Sequence, residues 1–156
     1  MRAVPRQALT AVAAMVAALA VLAGIATAAT PLVSTARNAR LHATVLVDRS
    51  GRTLYHLSVE RRGHFICANA TCISIWKPLI VAQGVKPTGT VPLGTVRRPD
   101  GKLQVAYKGE PLYTFVQDRR RGDAKGEGFK DVGVWHAATV GAAASPSSGS
   151  GGGYHY

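Results

Sequence analysis

Residues Gly51 to Glu60 read Gly-Arg-Thr-Leu-Tyr-His-Leu-Ser-Val-Glu, and residues Gly109 to Asp118 read Gly-Glu-Pro-Leu-Tyr-Thr-Phe-Val-Gln-Asp. The two stretches share the pattern Gly-x-x-Leu-Tyr-x-(Leu/Phe)-x-x-(Glu/Asp) at a constant offset of 58 residues, 109 minus 51 and 113 minus 55. Self-similarity at a fixed offset marks an internal duplication, and two copies of one supersecondary unit bury their apolar faces against each other. The duplication therefore governs the fold expectation more than any local propensity.

Around both stretches the apolar residues alternate with period two rather than 3.6. Ala43, Val45 and Val47 share one strand face, and Asp48-Arg49-Ser50-Gly51 supplies turn chemistry before Arg52 to Val59. That reads as a β-hairpin. Leu103, Val105 and Tyr107 alternate in the same way, and Lys108-Gly109-Glu110-Pro111 turns the chain into Leu112 to Gln117. Pro99-Asp100-Gly101 opens the second hairpin, and Gly133 to Val140 reads as a closing strand. The expected fold is all-β, a small antiparallel sheet or sandwich-like domain of roughly five to eight strands built from two tandem β-hairpin repeats.

Strand parity places the repeated aromatics. Tyr55 and Leu57 share a face in the first copy, as do Tyr113 and Phe115 in the second, and both tyrosines are expected in the core, where each hydroxyl needs a partner. Trp76 and Trp135 follow the two tyrosines by 21 and 22 residues, so each copy is expected to give one Trp to a shared interior. Glu60 and Asp118 stand where the strands run out, as acceptors for turn N–H groups. These eight are the structural motif residues; no catalytic residue and no metal ligand is assigned.

Arg2 and Arg6 precede an uncharged run from Gln7 to Ile25, and Ala26-Thr27-Ala28 follows it. This is the pattern of a secretory signal cleaved after Ala28; an uncleaved anchor is the competing reading of Ala8 to Ile25. The expected organisation is a signal peptide over 1–28, a linker over 29–40 and a duplicated β domain over 41–140 with repeats of about 43–94 and 95–140. A disordered Gly/Ser tail over 141–156 completes it.

Without Arg2 and Arg6, 17 of the 19 Lys and Arg remain against 8 Asp and Glu, so the formal charge falls from +11 to +9. In an exported protein such charge points to anionic envelope polymers or lipid head groups as partners. Arg61-Arg62, Arg97-Arg98 and Arg119-Arg120-Arg121 are the local clusters, which solvated turns would explain equally well. Nucleic acid is excluded as an expected partner, because export separates the chain from it and no recognition signature accompanies the charge. No stable membrane span is expected after signal cleavage, and no cofactor.

Cys67 and Cys72 are the only cysteines. An even count in an exported chain favours a local disulfide, and four intervening residues can turn back to the required Cα spacing. Metal ligation with His64 or His56 is the rival, though no second ligand pair follows at zinc spacing.

Taken together these motifs resemble a known family. Tyr113-Thr114-Phe115-Val116-Gln117-Asp118 resembles the Tyr-x-(Phe/Trp/Tyr)-x-x-Asp signature of the bacterial secreted repeat often labelled a predicted lipoprotein. The resemblance extends through Gly51 to Tyr55, Cys67 to Cys72, Trp76-Lys77-Pro78-Leu79 and Gly133-Val134-Trp135, roughly residues 43 to 140. The first copy departs from the signature with Leu57 and Glu60, and no Cys stands near the expected cleavage site to carry a lipid. The resemblance implies a secreted or outer-envelope location and a repeat architecture, with no activity attached.

Three functional readings follow. The first is an exported, non-catalytic envelope or extracellular module. The second is a metal, haem or redox role drawing on His42, His56, His64, His136 and His155 beside the cysteines. The third is a hydrolase with Asp118 or Glu60 beside His136 or His56, which requires those groups within hydrogen-bond reach.

Overall fold

The computed structural model describes residues 30–141; the expected signal peptide and residues 142–156 of the expected tail lie outside them. The chain runs through β1 (Val33–Asn38), β2 (Ala43–Asp48), β3 (Leu54–Leu57), α1 (Ala70–Ile75), β4 (Trp76–Pro78) and β5 (Ile80–Val81). It continues through β6 (Gly94–Arg97), β7 (Leu103–Tyr107), β8 (Glu110–Pro111), β9 (Tyr113–Phe115), β10 (Trp135–Ala137) and β11 (Thr139–Val140). All strand pairings are antiparallel. The all-β expectation holds, but with eleven short strands, because turns and sheet changes cut the expected long strands into pieces of two to six residues.

Each hairpin turn is fixed locally. Asp48 Oδ1 accepts the Ser50 and Arg52 N–H groups at 2.9 and 3.0 Å, closing the first turn before Gly51 in the left-handed region at φ 78°. In the second, Lys108 and Gly109 have φ of 52° and 83°, the pair of positive values that a tight two-residue hairpin requires.

Both hairpins diverge within a residue or two of their turns, and the strands enter different sheets. The first sheet has the order β1-β2-β11, the central one β10-β3-β9-β4, and the third β5-β7-β6 with β8 on β7. In the central sheet Tyr55 lies opposite its own repeat equivalent Tyr113. A pseudo-two-fold axis therefore passes between β3 and β9, exchanging β4 with β10, β5 with β11 and the two outer sheets with each other. The two copies are interwoven. Strands β4 and β5 of the first copy pair with β9 and β7 of the second, and β10 and β11 of the second pair with β3 and β2 of the first. The two expected tandem hairpins are present, and they exchange strands so that each copy completes the other's sheets.

Residues 33–38, read from sequence as part of a linker, form β1. Val33 is wholly buried and the strand pairs along its length with β2, from Val33 opposite Asp48 to Asn38 opposite Ala43. The first repeat therefore begins near residue 33 rather than 43.

The interior has two layers. Val45, Val47, Tyr55, Leu57, Trp76, Tyr113, Phe115, Trp135 and Ala137 pack with Cys67 in one cluster. Val33, Leu46, Leu54, Val105, Leu112 and Ala138 form the other. Successive residues Val45 and Leu46 face opposite cores, the consequence of period-two geometry in a strand buried on both sides. The indoles of Trp76 and Trp135 stack face to face at 3.8 Å with planes 7° apart, one from each copy.

Cys67 and Cys72 form the expected disulfide, with Cα atoms 5.4 Å apart. The bridge staples the loop entering α1, whose N-terminus is capped by Asn69 accepting the Cys72 N–H. Closing so short a loop contributes about 2 kcal/mol by the chain-entropy estimate.

Candidate functional site

The motif acids and tyrosines meet across the two copies. Tyr55 Oη of the first copy donates to Asp118 Oδ2 of the second at 2.5 Å, and Tyr113 Oη of the second donates to Glu60 Oε2 of the first at 2.7 Å. All four side chains are buried. The remaining carboxylate oxygens hold loops: Glu60 Oε1 accepts the Ile66 and Cys67 N–H groups at 2.7 and 2.6 Å, and Asp118 Oδ1 accepts that of Lys125 at 3.0 Å. Gly126 donates its N–H to Tyr55 Oη. It must be glycine, because an added Cβ would come within 2.7 Å of the Trp76 ring and 3.0 Å of the Tyr55 ring.

Beside Tyr113 lies Arg98, which sequence reading grouped with the solvated Arg97-Arg98 cluster. It is buried instead. Its guanidinium donates to Gln104 Oε1 at 2.5 Å, to the Cys67 carbonyl at 2.8 Å and to Tyr113 Oη at 3.3 Å, and it lies over the Phe65 ring. Tyr113 thus bridges a buried cation and a buried anion.

Burial, then the Asp118 carboxylate that accepts its proton, pushes the Tyr55 hydroxyl far above its ordinary pKa. Burial, then the charge of Glu60, does the same to Tyr113, against a smaller opposing pull from Arg98. A group whose folded pKa is raised contributes stability below its unfolded pKa, here near 10, and loses it as pH rises beyond that value. Unfolding free energy should therefore fall above about pH 10, by about 1.4 kcal/mol per pH unit for each of the two tyrosines. Tyrosinate absorbance at pH about 11 should show two fewer ionised tyrosines in the folded protein than in the urea-unfolded chain. Equal absorbance would contradict the pairing.

The acids proposed for a histidine partnership are therefore committed elsewhere. The carboxylates that do face histidine are Glu110 and Glu127. His136 Nδ1 lies 3.0 Å from Glu127 Oε1, whose other oxygen accepts the Ala137 N–H at 2.6 Å. His56 Nδ1 lies 3.3 Å from Glu110 Oε2 at ion-pair distance but without hydrogen-bond geometry. Burial lowers the His56 pKa, opposed by the Glu110 charge. The two imidazoles are cross-strand neighbours with centroids 5.9 Å apart, beside a cavity of about 410 Å³. Ser58, two residues after His56 in sequence, accepts the Val134 N–H. Among the described residues no group of three His, Cys, Asp or Glu side chains is placed to hold a metal ion. His42 and His64 are exposed, and His155 lies outside the described residues.

A cavity of about 590 Å³ opens where the two copies meet. Residues of α1 form one wall and Phe129 to Val132 the other, while Leu57 and Trp76 line it deeper down. The stacking of Trp76 on Trp135 and, at 4.3 Å, on Phe115 makes that base rigid. Trp135 Nε1 is buried without a hydrogen-bond partner among the described residues.

Surface charge is strongly unbalanced. Of the 17 Lys and Arg between residues 30 and 141, 15 are exposed; of the 8 Asp and Glu, only Asp100 and Asp131 are. The acids are consumed by the fold. Asp48, Glu60 and Asp118 are buried as acceptors, and Asp123 accepts the Arg119 and Arg120 N–H groups, which hold its carboxyl below the usual range. Duplication of an acid-capped turn thus removes negative charge from the surface and leaves the positive charge outside.

Residues 94–139 match a family model described as a secreted repeat of unknown function. The match runs from β6 into β11, the second copy, and agrees with the family resemblance and the secreted or outer-envelope location read from the sequence. No enzymatic family is indicated. Leu57 and Glu60 set the first copy apart from the signature, yet Glu60 accepts from Tyr113 as Asp118 does from Tyr55, so the extra methylene of Glu is accommodated. No curated protein and no solved structure matches the chain. No helix of the described residues is long and apolar enough to cross a membrane.

Proposed function

We propose that the chain is an exported, non-catalytic module of the cell envelope that holds polyanionic material against its cationic surface. The observation that carries this reading is the imbalance of exposed charge, 15 cations against two acids. Clustered like charge raises the local concentration of a polyanion and is screened by salt over a Debye length of about 10 Å at 0.1 M. The motif residues support this role indirectly, because Tyr55, Asp118, Tyr113 and Glu60 hold the loops that carry Arg61-Arg62 and Arg119-Arg120-Arg121.

Retention on immobilised polyphosphate tests it. The protein should be held at low salt and released as salt rises. Replacing Arg62, Arg119 and Arg120, all exposed and without ion pairs among the described residues, by Gln should weaken binding about 10- to 100-fold, at up to about 1 kcal/mol per surface cation. No retention at low salt, or release of the variant at the same salt as the parent, would contradict the reading.

A further inference from the structure

Seven large apolar side chains are exposed among the described residues, and five of them, Val59, Ile75, Val116, Phe129 and Val132, gather around the cavity between the two copies. Ile75, Phe129 and Val132 line it directly. Val116 adjoins Ile75 through the bond from its N–H to the Ile75 carbonyl, and Val59 reaches the same end beside Gly133 and Leu57. Soluble monomers rarely leave so many apolar side chains together in water without a use for them.

Exposed cations are interleaved with this apolar rim. Arg61 and Arg62 follow Val59, Lys77 follows Ile75, Arg119 follows Val116, and Lys130 separates Phe129 from Val132, so each of the five lies within three residues of an exposed Lys or Arg. Asp131 is the one exposed acid at the rim. Apolar side chains flanked by cations are what an interface with an anionic bilayer takes: the former enter the headgroup and acyl boundary while the latter remain at the level of the phosphates. A soluble polymer would leave the apolar rim in water.

We infer that this rim is a membrane-docking face, and that the polyanion the protein meets there is the surface of an anionic lipid bilayer. The inference rests on the polyanion reading and narrows it to one face and one partner. Phe129, 43% exposed and edge-on to Trp76 at 5.8 Å, is the anchor, and Val132, 63% exposed, is the most exposed of the five.

The test is cosedimentation with phosphatidylglycerol vesicles and with phosphatidylcholine vesicles, alongside retention on soluble polyphosphate. The full chain should bind the anionic vesicles at least about tenfold more tightly than the zwitterionic ones. Phe129→Ala and, separately, Val132→Ser should each lower vesicle affinity by about threefold to tenfold while leaving polyphosphate retention unchanged, and Val132→Ser should leave the melting temperature unchanged as well. Val132→Ser guards against a packing effect of the Phe129 change. Polyphosphate retention without vesicle binding, or vesicle binding indifferent to both substitutions, overturns the docking face and leaves the polyanion reading standing. Retention on neither overturns both. A dimer abolished by Phe129→Ala, with no vesicle binding, would assign the face to a second copy of the chain instead.

Discussion

A fragment spanning Thr30 to Gly94 should show no cooperative unfolding transition and no near-ultraviolet circular dichroism from Trp76. Within that fragment β3 loses both neighbours, β9 and β10, while β4 and β5 lose the second-copy strands with which they pair. Only the β1-β2 hairpin keeps a ladder. Two strands alone are marginal in water, and Trp76 would be stripped of both Trp135 and Phe115. A sharp transition from this fragment would mean that the copies are separable units.

Glu60→Ala should be the most damaging single substitution in the motif, at about 3 to 5 kcal/mol. It strands three donors, the Ile66 and Cys67 N–H groups and the Tyr113 hydroxyl, and each unsatisfied buried group costs about 1 to 3 kcal/mol. It also removes the anion that Tyr113 links to buried Arg98, leaving half-exposed Asp100 at 3.8 Å as that guanidinium's ion-pair partner among the described residues. Asp118→Ala should cost less, about 1 to 3 kcal/mol, because it strands only the Tyr55 hydroxyl and the Lys125 N–H. Urea unfolding of both variants checks the order. A Glu60→Ala protein as stable as the parent would show that the carboxylate's bonds are replaced by water.

Much of this arrangement was legible in the sequence because it depends on local rules. Period-two alternation put Tyr55, Leu57, Tyr113 and Phe115 inward, the turn residues placed both hairpins, and the spacing of Trp76 and Trp135 put one indole from each copy into a common interior. Export and an even cysteine count anticipated the Cys67–Cys72 bridge. What escaped was non-local. Val33 to Asn38 alternates too weakly to read as a strand, and only its pairing with β2 makes it one. Strand exchange leaves no trace in a duplicated sequence, since β9 presents the same edge to either copy's closing strand. The acid at each strand end was visible, but its tyrosine lies 53 or 63 residues away in the other copy. Arg98 looked like half of a surface Arg pair until Gln104, Tyr113 and the Cys67 carbonyl were seen to surround it. The histidines were visible too, but their facing acids are Glu110 and Glu127, set by cross-strand register rather than by motif.

The loops that carry Arg61-Arg62 and Arg119-Arg120-Arg121 depend on the interwoven core, since they are tied down by carboxylates whose other oxygens bind the opposite copy. Calorimetry of the full chain is the most direct test of that dependence. It should give one transition whose calorimetric and van't Hoff enthalpies agree, and Glu60→Ala and Asp118→Ala should each move the whole of it. Two resolved transitions, with each substitution shifting only one, would contradict the interwoven core.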